Sequence, residues 1–129
     1  PVEIITGQEE SRLVHLGIQA RWPHPRQKTL AIDVGGGSAE IIASENGRMV
    51  EAFSKPLGAV RLTEMFLRHD PPQPVELERL SQYIQEKIAR PVERLGKAGY
   101  ERLIVTSATA AAIVCAVNDI PRTKREEAD

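Results

Sequence analysis

"TLAIDVGGGSAEIIASENGRMVEAFSK", residues 29–55, holds three apolar, β-prone runs separated by two turn signals. Thr29–Val34, Glu40–Ser44 and Arg48–Lys55 read as strands, with "GGGS" and "ENG" between them. Strands joined across so few residues pair antiparallel, so the three form a meander. The first turn is unusual in carrying three consecutive glycines between Asp33 and Glu40. Glycines let successive backbone amides approach one anion because no Cβ stands in the way. Gly35, Gly36, Gly37 and Ser38 are therefore a candidate phosphate cradle. Carboxylates beside it would repel bare phosphate, and they make sense if Asp33 and Glu40 hold a divalent cation, usually Mg²⁺ with retained waters. The plain alternative is a tight hairpin whose glycines, Gly36 included, supply positive φ.

Beyond the meander, Leu57–Leu67 reads as a short helix after Gly58, and "RHDPPQP" as a proline-broken loop. Leu77, Leu80, Ile84, Ile88, Val92 and Leu95 then recur every three or four positions, the stripe of an amphipathic helix. Pro91 interrupts it and predicts a kink near Lys87–Arg90 or a split there, with Gly96 and Gly99 ending the element. "RLIVTS" is a fourth strand and Ala108–Val117 an alanine-rich helix; the charged "PRTKREEAD" is a frayed tail. On the other side, Val2–Thr6 reads as a short strand, Gly7 as its break and Gln8–Ala20 as a helix carrying Leu13, Leu16 and Ile18. "RWPHPRQ" is a connector and marks a boundary between this opening and the rest. With no Met at the start, "VEIITGQEE" has the character of a strand end entering a helix, the expectation being a fragment of a longer protein.

Composition excludes several classes of function. The 129 residues suit about one domain. Seventeen basic against eighteen acidic side chains leave a net charge of −1, so no global field draws the chain to a nucleic-acid polymer or a membrane. No apolar run approaches the roughly 20 residues of a membrane span, and no signal-peptide pattern opens the chain. The lone Cys115 cannot form an internal disulfide and suggests a buried thiol in a reducing compartment, with the cytoplasm as the default location. His15, His24 and His69 lack metal-ligand spacing and are expected at surface or loop positions.

Three stretches in order, "VEIITGQEESRLVHLGI", "AIDVGGGSAEI" and "PLGAVRLTEMF", closely resemble motifs of the exopolyphosphatase and guanosine pentaphosphate phosphatase (PPX/GppA) family, over about Val2–Asn118. The resemblance implies an α/β, ribonuclease-H-like lobe of the actin, sugar-kinase and heat-shock ATPase superfamily: a three-stranded meander, a further strand and flanking helices. Residues 1–27 would be the end of a preceding lobe with its crossover helix, 28–120 the second phosphate-binding lobe and 121–129 the tail. It implies hydrolysis of the terminal phosphoanhydride of polyphosphate or guanosine pentaphosphate, with Mg²⁺ as cofactor, Asp33 and Glu40 as its ligands and Gly35–Ser38 on the phosphate. It also gives Glu10 the task of orienting or deprotonating the attacking water. Without the resemblance, Glu9 and Glu10 would simply be first-turn carboxylates facing a helix dipole. The family's first lobe is missing from this chain, so the fragment alone is expected to be inactive; the family commonly dimerises. Two departures stand out: Ala39 where Thr is frequent, and "VTSATAAAI" in place of a Gly-Thr-Ser-Gly-Thr series. Arg61 could anchor the region or touch phosphate, and Lys87 and Arg90 are ordinary solvated charges or lie toward a polyphosphate groove. Rival readings are a non-catalytic phosphate- or nucleotide-binding regulatory lobe and a sugar or acetate kinase lobe.

Overall fold

A computed structural model describes residues 2–23 and 26–121. Its elements are α1 (Gly7–Arg21), β1 (Thr29–Val34), β2 (Ala39–Glu45), β3 (Arg48–Lys55), α2 (Ala59–Phe66), α3 (Pro74–Leu95), β4 (Arg102–Thr106) and α4 (Ser107–Val117). The meander forms as its turns dictate: Asn46 and Gly47, at φ 53° and 72°, close the β2–β3 hairpin in the left-handed region that an Asn-Gly pair favours. The helical segment between β3 and β4 returns the chain so that β4 lies parallel to β1, giving one mixed sheet in the order β3-β2-β1-β4. This is the ribonuclease-H-like arrangement the motifs imply.

Alternation along the strands divides the sheet into two faces. Ala31, Ile42 and Ile104 turn to one face and form a core with Ile18 of α1, flanked by Val14, Trp22, Met49 and Ala52. Leu30, Ile32, Val34 and Ile41 turn to the other, where α2 and α3 cover them loosely and leave an apolar cavity of about 480 Å³ reaching Ile84, Ile88 and Leu95. No helix among the described residues is long and apolar enough to cross a membrane.

Several expectations need correction. Val2–Thr6 forms no strand, because the described residues give it no partner to pair with; Thr6 instead caps α1, its hydroxyl accepting the Glu9 amide at 3.2 Å. Helix α3 does not split at Pro91. The proline sits one turn from the C-terminal end, where it removes the single intrahelical bond to the Lys87 carbonyl, and its ring is buried. A capping box between Gln73 and Glu76, with Pro74 in the first turn, starts the same helix. Cys115 is half-buried rather than buried, since α4 is covered on one side only. His15 is not at the surface: it is 7% exposed, and its Nε2 lies 3.3 Å from the Gly47 carbonyl to which it donates. His24 and the tail beyond Pro121 fall outside the described residues.

Candidate functional site

The β1–β2 register places Asp33 directly opposite Glu40. In the same register Glu40 faces Ser54 on β3, and Asp33 faces Thr106 on β4. Thr106, Asp33, Glu40 and Ser54 thus form one row across all four strands, two residues beyond the Ile104–Ala31–Ile42–Ala52 row of the core and on the same face. Like charges directly opposite one another destabilise a sheet. Here each is steadied from its outer side: Thr106 Oγ1 donates to Asp33 Oδ1 at 2.9 Å, and Ser54 Oγ donates to Glu40 Oε1 at 2.8 Å.

Glu40 is the most constrained member. It is 0% exposed, and its Oε2 has no hydrogen-bond partner among the described residues. Burial pushes its carboxyl above the usual range. The hydroxyls of Ser54 and Ser38 oppose that push, and the charges of Glu10 and Asp33 reinforce it. A buried carboxylate with one idle oxygen and two acidic neighbours is poorly satisfied by protein alone.

Glu10 arrives from α1. A Cβ at Gly7 would overlap the Ser54 side chain, so glycine lets the first turn of α1 rest on β3 beside Glu40. Ser11, fully buried, ties this turn through a 2.8 Å bond from its hydroxyl to the Gly7 carbonyl. The neighbouring Glu9 is engaged elsewhere: Arg12 grips both of its oxygens, at 2.7 to 3.1 Å, and holds its carboxyl below the usual range. The structure therefore separates the pair, with Glu10 near enough to Glu40 for its charge to act there and Glu9 in a surface ion pair.

The glycine turn departs from the hairpin reading. None of Gly35, Gly36 and Gly37 has positive φ, so conformational freedom is not their use. Nor does packing demand them, since a Cβ at any of the three would meet nothing nearer than 3.5 Å; the close approach is at Gly58, where a Cβ would overlap the Gly36 carbonyl and the Gly37 nitrogen, so the turn lies directly against the start of α2. There the Ala59 amide donates to the Gly35 carbonyl at 2.9 Å, the Arg61 amide to Gly36 at 3.0 Å, and Arg61 Nε to Gly37 at 2.7 Å. The amides of Gly36, Gly37 and Ser38 meet no acceptor among the described residues, and Gly36 and Gly37 are exposed.

Among the described residues no three His, Cys, Asp or Glu side chains converge into a closed metal cage. Two carboxylates with an idle buried oxygen nevertheless suit Mg²⁺, which usually takes one or two protein carboxylates and keeps waters or substrate phosphates for its other positions. Lys87 is occupied by Glu86 at 2.9 Å and lies over the Tyr83 ring, as a solvated helix face would have it. Sequence reasoning missed Ser54, Thr106 and Ser107. Ser107, at φ 87°, donates its hydroxyl to the Val34 carbonyl at 2.6 Å and so braces the strand that leads into the glycine turn. Hydroxyls at the ends of two predicted strands were the available signal, but only the register shows which carboxylate each one meets.

A model of the Ppx/GppA phosphatase family matches residues 1–124. Exopolyphosphatase 1 of Mycobacterium tuberculosis is 31% identical over 106 residues, which cover 82% of this chain and 31% of that protein. Exopolyphosphatase 2 of the same organism is 35% identical over 86 residues, 67% of this chain and 27% of that protein. Among solved structures, the Aquifex aeolicus member of the Ppx/GppA family superposes with a TM-score of 0.76 at 25% identity, over 94% of this chain and 38% of the other. An exopolyphosphatase from Cytophaga hutchinsonii gives 0.77 at 27% identity, over 92% and 39%. The chain spans about a third of the length of the curated relatives it matches.

Proposed function

Because this chain belongs to the Ppx/GppA phosphatase family, we propose that it supplies one wall of a two-lobed cleft in which the whole protein hydrolyses the terminal phosphoanhydride bond of polyphosphate, guanosine pentaphosphate or both. The observation that carries the proposal is the junction of two unlike groups at one end of the sheet. Three unengaged amides suited to an anion adjoin a row of acidic side chains containing a fully buried carboxylate with an idle oxygen.

In this reading the amides of Gly36, Gly37 and Ser38, with the Ser38 hydroxyl, hold the terminal phosphate and align its P–O bond. Asp33, oriented by Thr106, and Glu40, oriented by Ser54, hold Mg²⁺ directly or through water. Bound there, the cation contributes neutralisation of charge on the phosphoryl oxygens. Glu10 orients the attacking water and takes its proton, while Glu9, paired with Arg12, stays out of the chemistry. Water adds to the terminal phosphorus, the bridging P–O bond breaks, and orthophosphate leaves with a chain one phosphate shorter. The acidic row favours turnover over a purely regulatory phosphate lobe, because carboxylates weaken simple anion binding.

The test is orthophosphate release by the whole protein from polyphosphate and from guanosine pentaphosphate, with Mg²⁺ and no acceptor alcohol. Release from at least one substrate is expected, with negligible release by the 129-residue chain alone. Release from neither, or only when an acceptor is added, would refute the hydrolase reading.

A further inference from the structure

We propose that Arg61 is a positioning residue that presets the glycine turn for anion binding by clamping the Gly37 carbonyl; the inference rests on reading that turn as a phosphate site. Every peptide bond in the turn is trans, and in a trans peptide the C=O and N–H point in opposite directions. The carbonyls of Gly35, Gly36 and Gly37 are all drawn toward residues 59–61. The amides that share those peptide planes, of Gly36, Gly37 and Ser38, are thereby turned away from α2 together. Two of the three clamping donors are backbone groups, which any sequence could supply. The third is the Arg61 side chain, through Nε at 2.7 Å, and it fixes the peptide plane that carries the Ser38 amide. Gly58 completes the device, since any Cβ there would displace the Gly36–Gly37 peptide.

The role differs from that of a cation that merely attracts phosphate. Lysine keeps the charge but places its Cε methylene where arginine has Nε–H, so Arg61→Lys retains attraction and loses the clamp. Gly58→Ala keeps every charge and shifts the turn. The experiment uses the whole protein labelled with ¹⁵N-glycine and ¹⁵N-serine, titrated with tripolyphosphate and followed through the amide signals of Gly36, Gly37 and Ser38. In the wild type these signals should move on titration. In Arg61→Met and Arg61→Lys the Gly37 and Ser38 signals should already be displaced before ligand is added. Tripolyphosphate should bind about three- to tenfold more weakly to both, the scale of one exposed hydrogen bond, and also more weakly to Gly58→Ala. Unchanged signals in Arg61→Met, or wild-type signals and affinity in Arg61→Lys, would overturn the clamp while leaving the phosphate site in place. A wild type whose loop amides ignore tripolyphosphate would overturn the phosphate site itself and, with it, the purpose of the clamp.

Discussion

Replacing Glu40 by Gln should stabilise the fold and abolish function. In the wild type one carboxylate oxygen is satisfied by Ser54 at 2.8 Å, while the other is buried, unpartnered and pressed by the charges of Asp33 and Glu10. In Glu40→Gln the amide oxygen can keep the Ser54 bond, and the neutral NH₂ takes the idle position, where the charges of Asp33 and Glu10 attract it instead of repelling it. An unsatisfied buried acceptor costs about 1–3 kcal/mol, and each facing like charge adds about 0.2–1 kcal/mol. Together these give an upper estimate of roughly 1.4–5 kcal/mol, so a gain of at least about 1 kcal/mol in the absence of divalent cation is expected, or about 4 °C in Tm per kcal/mol for a chain of this size. The pH dependence gives the sign independently. Because the folded carboxyl titrates above its ordinary 4.5, wild-type stability must fall as pH rises from 4.5 through that higher value; the Gln variant lacks this decline. Melts of both proteins, by circular dichroism with chelator at several pH values and again with Mg²⁺, test the argument. A lower Tm for Glu40→Gln at pH 7 in chelator would refute it, as would equal stabilisation of both proteins by Mg²⁺.

The other predictions concern neighbouring parts of the molecule. Asp33→Asn should weaken the cation term, so that activity measured across a Mg²⁺ series recovers in part at high concentration; a deficit unchanged by Mg²⁺ would remove Asp33 from the metal role. Gly36→Val should fold normally, because φ there is not positive and an added Cβ meets only Val60 at 3.5 Å. Tripolyphosphate should nevertheless bind the variant at least about tenfold more weakly, as expected if one charged-group hydrogen bond is lost, and unchanged binding by calorimetry would reduce the turn to a hairpin. Glu76 accepts from His69, Gln73 and Arg68, which lower its pKa to about 2. Its contribution to stability is thus present above pH 4.5 and lost as pH falls toward 2, so His69→Ala should unfold at a higher pH in an acid titration; an unmoved midpoint would contradict the clasp.

The meander was legible because connections this short dictate antiparallel pairing. That Asp33 directly faces Glu40 is a matter of register, which the structure supplies. The parallel pairing that sets Thr106 beside Asp33 was not legible at residue level, since it depends on where the long α2–α3 crossover returns. Of the two outcomes Pro91 allowed, a kink or a split, the continuous helix rules out the split, and only the folded chain shows the proline ring packed into the interior. Val2–Thr6 has the composition of a strand, but β-propensity acts through a neighbour, and the described residues offer none. The glycine turn was half visible: its suitability for an anion was apparent, whereas its close contact with α2, which requires Gly58 to lack a Cβ, is tertiary. Arg61 could be assigned only once its Nε was seen on the Gly37 carbonyl.

The central claim is that Glu10, brought from α1 to the acidic row, performs the proton chemistry on a phosphate held by the glycine turn. The most direct measurement is single-turnover orthophosphate release from polyphosphate by the whole protein carrying Glu10→Gln or Glu9→Gln, with tripolyphosphate affinity measured alongside. Glu10→Gln should lower the rate by about two to four orders of magnitude with affinity little changed, and Glu9→Gln, which removes only an exposed pair with Arg12, should leave both near wild type. A Glu10→Gln protein that turns over normally, or a Glu9→Gln protein that is the more impaired of the two, would contradict the account.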